Sequence, residues 1–217
     1  MKFSKWVMVG IYMLSLMIYT GSAFSEESAP QKNSAEENEY NLDEARKIGF
    51  FAHLGYGFGG DKFASLELEY DDGDTRDESL KAGEGVIWGA GLLIPIGADG
   101  NVEAQLGIGM KEEKITAENG KVSFRRFPLD AMVFFKQGKF RLGGGITYHL
   151  HPEISGHGAV GSLDASFENA FGFVVEADIL FNMVYLGVRG AFVDYTLEHS
   201  DVDADGNSVE ILAGVRF

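Results

Sequence analysis

Residues 201–207 carry the pattern in this chain that comes nearest to a known kind of ligand site. Asp201, Asp203 and Asp205 alternate along the segment, and Gly206 follows them. Alternating carboxylates followed by a turn-forming glycine are typical of loops that bind Ca²⁺. The bidentate acid expected at the twelfth position is missing, because Leu212 stands there. The pattern therefore favours a solvated acidic loop, with weak calcium binding by the three aspartates as the alternative and no other cofactor.

Histidines and serines form a second group whose residue types could do chemistry. His149 and His151 are two positions apart, with Glu153 and His157 close by. Residues two apart on a strand share a face, so two imidazoles and a carboxylate would suit a transition metal, or would simply form a wet rim. The same stretch supplies the residue types of a hydrolase triad, whose geometry spacing alone does not establish, namely Ser155, Ser162, His151 and Glu153.

The elements that would position these residues are β-strands, because apolar residues alternate with small or polar ones from Ile48 onwards. The last strand is the clearest case, with Val209, Ile211, Ala213 and Val215 on one face and the terminal Phe217 completing it. About eight such segments follow one another, joined alternately by longer and shorter connections. The pattern predicts an all-β fold, a transmembrane antiparallel up-and-down β-barrel that occupies residues 48–217.

Two predicted strands depart from simple alternation. The second, over about residues 80–94, would turn Ile87 and Leu93 inwards, for which a β-bulge is one explanation. The sixth would carry Ala165 and Phe167 outwards, with Asn169 as a misfit on the same face, before a turn near residues 178–182.

Charged residues are predicted to fill the interior of the barrel. An eight-stranded barrel has an interior only wide enough for side chains, and unpaired buried charges are costly, so opposite charges should pair there. This predicts a plugged lumen, with a narrow conduit as the alternative. The inward cations are Lys111, Arg126, Arg141, Arg189 and Arg216, and the inward acids are Glu103, Asp130, Asp164, Glu168, Glu176 and Glu210.

The N-terminus predicts export. Lys2 and Lys5 precede an apolar run and the small residues that end at Ala23, which indicates a signal peptide over residues 1–23. Residues 24–47 would form a polar periplasmic leader before the barrel. The chain contains no cysteine, and its formal charge of −15 becomes −17 when the two lysines are removed. So acidic a protein is a poor ligand for nucleic acid.

Residues 48–217 resemble the small eight-stranded bacterial outer-membrane barrels of the OmpA and OmpX type. Residues 143–149 (GGGITYH) and 185–190 (YLGVRG) are loosely similar to uncharacterised YfaZ-like barrels. The resemblance implies fold and location in the outer membrane of a Gram-negative envelope, and it transfers no functional residue.

The function expected from the sequence is that of a non-enzymatic integral barrel with acidic surface loops, in a structural or surface-interaction role. Its expected partners are outer-membrane lipids and lipopolysaccharide, and the barrel-assembly machinery during insertion. The alternatives are a narrow conduit for small solutes and a lipopolysaccharide-modifying enzyme that uses the serines and histidines named above.

Overall fold

The computed structural model describes residues 47–69, 75–97, 99–117, 120–158 and 164–217. The predicted signal peptide and nearly all of the predicted leader lie outside these residues. Within them, no helix is long and apolar enough to cross a membrane. The strands are β1 (Gly49–Gly59), β2 (Lys62–Glu69), β3 (Thr75–Lys81), β4 (Gly85–Ile96), β5 (Val102–Ala117), β6 (Gly120–Gln137), β7 (Phe140–Gly158), β8 (Ala165–Ser166), β9 (Ala170–Phe181), β10 (Val184–Thr196), β11 (Asp203–Asp205) and β12 (Ser208–Arg216).

Eight of these strands close into an antiparallel barrel, which confirms the predicted fold class. The order is β1, β4, β5, β6, β7, β9, β10 and β12, and β12 pairs back with β1. A path through paired residues that starts at Gly49 returns to β1 at Gly59, ten residues further along the strand. That stagger corresponds to strands tilted by about 40° from the barrel axis.

The two ends of the barrel differ in their connections, as the alternating lengths predict. At the end that holds both β1's start and β12's end, residues 97–101, 138–139 and 182–183 join neighbouring strands. Gly138 and Asn182 have φ angles of 60° and 58°, which glycine and asparagine tolerate best in tight turns. We call this the turn end. The opposite loop end carries the β2–β3 hairpin, β8 and β11.

The outer wall of the barrel is apolar. Alternate residues of every barrel strand are exposed, while their neighbours face the lumen and are mostly buried. A continuous exposed apolar surface of this kind suits contact with hydrocarbon. Aromatic side chains border it near the loop end (Tyr56, Phe58, Tyr148, Phe171 and Phe173) and near the turn end (Phe50, Phe135, Phe140, Phe181 and Phe217). We call the surface between these two borders the apolar belt.

The predicted irregularity of the second strand is wrong. β4 pairs without a register shift with both β1 and β5, and Ile87 and Leu93 both point inwards and are buried. Glycine on the neighbouring strand makes room for the inward side chain of Ile87. A Cβ at Gly55 would lie only 3.2 Å from a methyl carbon of Ile87. Leu80 lies in β3, before β4 begins.

The sixth predicted strand is correct only from residue 170 onwards. β8 is two residues long, and residues 167–169 leave the barrel wall before β9 begins. Phe167 is therefore buried, and Asp164 and Glu168 are exposed to solvent instead of facing the lumen. Asp178 lies inside β9, where the strand alternation continued from Glu176 places it in the lumen.

Candidate functional site

The turn end of the lumen is built around Arg141. Its guanidinium contacts carboxylates of three residues, at 2.8 Å to Glu103, 3.4 Å to Glu176 and 2.7 Å to Asp178. It also lies 3.9 Å from the ring centre of Phe134 and 5.1 Å from that of Tyr185. Arg141 is thus held by ion pairs in its plane and by aromatic faces beside it.

Two further cations hold Glu103 at the same end. Arg216 Nη2 donates to its Oε2 at 2.7 Å, and Lys136 Nζ lies 3.1 Å from that oxygen. Glu103 is only 1% exposed. Three cations around one buried carboxylate tie β5, β6, β7 and β12 together across the lumen.

The middle of the lumen repeats this arrangement around Arg189. Its Nε donates to Glu176 at 2.6 Å and its Nη1 to Asp130 at 2.9 Å, while Thr147 Oγ1 donates to Asp130 at 2.7 Å. Nearer the loop end, Lys111 Nζ donates to Glu210 at 2.6 Å. The lumen therefore holds a continuous network of oppositely charged side chains.

Among the described residues, most of the predicted inward cations pair with carboxylates, and one does not. Arg141, Arg189 and Arg216 pair with inward carboxylates as expected. Arg126 is fully buried, and its Nη2 donates to the backbone oxygen of Glu84 at 3.0 Å. Its guanidinium lies 4.5 Å from the Phe124 ring centre. Sequence reasoning missed Asp178, although its position two residues after Glu176 was the signal that could have placed it in the lumen.

Little empty space remains between these side chains. A lumenal void lined by Lys111, Asp130, Arg189 and Glu210 measures about 10 Å³, which is room for about one water molecule. Glycines permit the tight fit: a Cβ at Gly143 would collide with the Phe134 ring, and one at Gly214 with the Tyr185 ring.

An apolar cluster closes the loop end of the lumen. Its buried members, which we call the apolar cap, are Leu80, Ala82, Val122, Phe124, Phe167, Ala170, Val193 and Tyr195. The Phe124 ring centre lies 4.8 Å from that of Phe63, 5.7 Å from that of Phe167 and 5.4 Å from that of Tyr195. The cap thus joins the β2–β3 hairpin to residues of β6, β9 and β10.

Polar contacts fasten the hairpin at its base. Asp61 N donates to Asp205 O at 2.6 Å, and Ala82 N donates to Asp61 O at 2.8 Å. Lys81 N donates to Glu113 Oε2 at 2.7 Å. Glu113 lies beyond the apolar belt, and burial raises its pKa to about 7 in spite of this backbone hydrogen bond. These bonds connect the hairpin to β5 and to β11.

The three aspartates of the predicted calcium loop lie at the loop end, as expected, but along an extended chain. Asp203 and Asp205 belong to β11, where Asp203 accepts a hydrogen bond from Thr196 Oγ1 at 2.8 Å. Partial burial and the carboxylates of Asp205, Asp203 and Asp61 raise the pKa of Asp194 beside them. Among the residues with described side chains, no three acids or histidines converge closely enough to hold a metal ion.

Calcium binding by Asp201, Asp203 and Asp205 stays a prediction. Because β11 would have to rearrange, we expect dissociation constants of roughly 10⁻⁴–10⁻³ M, as in weak extracellular sites. Calorimetry of the wild type and of the variant with all three changed to asparagine measures this. A charge-matched control changes the exposed Asp164, Glu168 and Glu198 to their amides. Equal heats of calcium binding for the two variants would mean that Asp201, Asp203 and Asp205 only form an ordinary solvated acidic loop.

The histidines do not share a face, so that prediction is wrong. His149 points into the lumen, where its Nδ1 lies 2.6 Å from Tyr195 Oη. A register shift between β6 and β7, with His151 at a φ of 46°, separates the two residues, and His151 is exposed. Ser155 lies opposite Ser123, and His157 lies opposite Lys121. Ser162 lies outside the described residues.

Comparison with known proteins yields structural similarity alone. No protein-family model and no curated protein matches the chain. Similar solved structures include neisserial surface protein A, at 11% identity over 78% of this chain and 95% of that one, with a TM-score of 0.46. Another is Ail, the attachment invasion locus protein of Yersinia pestis, solved with the heparin analogue sucrose octasulfate, at 14% identity over 79% and 99%, with a TM-score of 0.44. A third is the outer membrane protein AlkL, at 13% identity over 89% and 97%, with a TM-score of 0.41.

The resemblance to small eight-stranded outer-membrane barrels is confirmed by the fold itself. The closed register of eight antiparallel strands establishes it, and the apolar belt is the surface such barrels present to lipid.

Proposed function

We propose that this protein is a non-enzymatic integral β-barrel of the outer membrane whose lumen is plugged and whose loop end is a contact surface. The loop end faces the medium and the turn end faces the periplasm, since long connections lie outside in such barrels. The barrel-assembly machinery would insert it, and outer-membrane lipids would surround the apolar belt.

The observation that carries the proposal is the charged network in the lumen. Arg141, Arg189 and Lys111 are each at most 2% exposed, and each has a carboxylate within 3 Å. A solute pathway needs groups that can exchange their partners for the solute or for water. Here Arg141, Arg189 and Lys111 are each paired with buried carboxylates of the lumen, and the apolar cap lies across the loop end.

The loop end supports a contact role through its charge. Residues 194–207 contain five acids and neither lysine nor arginine. Functional contacts in barrels are carried by loops on a rigid scaffold. A surface this acidic favours cationic partners or divalent ions over polyanions.

Single-channel recording in planar bilayers tests the plug. We expect the refolded wild-type protein to show no steady conductance steps of porin size, because paired charges and aromatic side chains occupy the lumen in the part of the chain that the structure describes. Folded protein is verified beforehand by its shifted gel mobility without boiling, and a wide porin in the same bilayers is the positive control. Steady conductance steps from folded protein would show that the lumen is open, and the protein would then be a conduit for small solutes.

A further inference from the structure

The strands β5, β6 and β7 continue beyond the apolar belt and present a sideways-facing array of hydrogen-bond donors. Along β5, the outward-facing residues continue from Ile108 through Glu112 to Lys114 and Thr116. Lys114 pairs with Ser123 of β6, and Ser123 pairs with Ser155 of β7. Thr116 pairs with Lys121, and Lys121 with His157. We call these six residues the donor face: Lys114, Thr116, Lys121, Ser123, Ser155 and His157.

The strand alternation fixes the direction of the donor face. The intervening residues Val122 and Phe124 point inwards into the apolar cap. Their neighbours at 121 and 123 must therefore point outwards, on the side of the belt residues Leu129 and Val133. Lys114, Thr116, Lys121 and His157 are exposed, Ser155 is half-buried, and Ser123 is buried between its neighbours. Since the face looks sideways, its surroundings are lipid headgroups.

The chemistry of the donor face is that of a site for phosphate. Its accessible groups are two ammonium groups, the hydroxyls of Thr116 and Ser155 and an imidazole, and none of its six members is acidic. Ammonium and hydroxyl groups together are the usual donors to phosphate oxygens, and the positive charge is unusual in a chain of formal charge −15. The row nearer the belt is different, because Glu112 pairs with Arg125 at 2.9 Å and Glu153 lies opposite Arg125.

The height of the donor face matches a headgroup. Lys114 is four residues beyond Met110, which at this strand tilt is roughly 10 Å along the barrel axis. The polar layer of a bilayer leaflet is about 5–8 Å thick, and a lysine side chain extends towards it while its stem packs on the wall. Lys121 lies beside Thr116, about 5 Å further out along the axis, so both lysines must extend their side chains back towards the polar layer to reach lipid phosphates.

We propose that the donor face binds phosphate groups of the glycolipids that surround the barrel in the outer leaflet. Lys114 and Lys121 supply the charge, and the hydroxyls of Thr116 and Ser155 with the His157 imidazole supply further hydrogen bonds. The inference rests on the proposed location in the outer membrane, and it is independent of whether the lumen conducts. The donor face would thus contact lipid, in addition to the acidic contact surface proposed above for residues 194–207.

Native mass spectrometry of the refolded barrel in detergent tests this with two probes, diphosphorylated lipid A and the same lipid without phosphates. We expect the wild type to retain the phosphorylated lipid on the order of tenfold more tightly, given the attraction of two lysines to an anionic surface. This comparison needs no variant, so a folding defect cannot obscure it.

Variants then assign the preference to the donor face. Changing Lys114 and Lys121 to glutamine should abolish the preference for phosphate, and changing both to arginine should retain it. The matched control changes the exposed Lys62 and Lys139 to glutamine and should behave as the wild type. Equal binding of the two lipids by the wild type, or an unchanged preference in the Lys114→Gln, Lys121→Gln variant, would overturn the proposal.

A third probe separates lipid phosphates from soluble polyanions. A sulphated oligosaccharide should compete weakly when lipid A is present, because the face points into the lipid layer. If the oligosaccharide binds the donor face while lipid phosphates make no difference, the face is a receptor for extracellular polyanions and the lipid assignment is wrong.

Discussion

Replacing Arg141 with alanine should lower the free energy of unfolding by about 3–5 kcal/mol, the usual cost of removing one member of a buried charge network. The substitution leaves Glu103 with Arg216 and Lys136, and Glu176 with Arg189. Asp178 loses the cation that holds it, because Arg141 is the ion partner recorded for it among the described residues. Urea unfolding in lipid vesicles, followed by tryptophan fluorescence, measures the change.

Two comparisons test whether that cost comes from the unpaired carboxylate of Asp178. Arg125 is the matched control, since it pairs with Glu112 at 2.9 Å but its side chain is 42% exposed, so Arg125→Ala should cost about 0–1 kcal/mol. Adding Asp178→Asn to Arg141→Ala should restore part of the loss, giving a clear coupling in a double-mutant cycle. Similar costs for Arg125→Ala and Arg141→Ala, with no coupling to Asp178, would show that the lumen is wet and its charges are independently solvated.

The barrel wall was predictable because its two faces meet such different surroundings. A lipid-facing position must be apolar and a lumenal one must be small, polar or paired, so each strand records its own orientation. β1, β5 and β12 alternate between the two faces along their whole length, with Phe51 and Leu212 as large apolar residues on the lumenal side, and the rule placed Arg141, Arg189 and Glu210 correctly inside. Simple alternation puts Ile87 and Leu93 inside as well, but the polarity rule made this look irregular, because it does not foresee that a lumenal position opposite glycine accepts an apolar side chain.

Prediction failed where the chain leaves the wall. At the loop end the inside of the barrel becomes an apolar core, so the expected polarity of inward residues reverses, and Phe167 was assigned to the wrong face. The register shift near His151 likewise separates two histidines that spacing alone puts together. Individual ion pairs were not predictable either, because they depend on the ten-residue stagger, which sequence alternation does not reveal.

The apolar cap should behave as a cooperative unit of its own, and Phe124→Ala should show this. Phe124 is fully buried and its ring packs against Phe63, Phe167 and Tyr195. Truncating such a side chain costs about 3–5 kcal/mol where the cavity cannot collapse. We expect the loss to appear as local opening of the loop end, because the closed register of eight strands is untouched.

Hydrogen exchange distinguishes local from global opening. The Ala82 amide, which donates to Asp61 O at 2.8 Å, reports on the hairpin base, and amides of β12 report on the wall. In Phe124→Ala, exchange at Ala82 should accelerate by at least two orders of magnitude, corresponding to about 3 kcal/mol, while β12 stays protected. Phe173→Ala, which removes an exposed aromatic side chain at the border of the belt, is the control and should change neither reporter. Equal acceleration at Ala82 and in β12 would mean that cap and wall unfold together. The cap would then be part of the barrel's core, and would not be a separate cooperative unit above the charged network of the lumen.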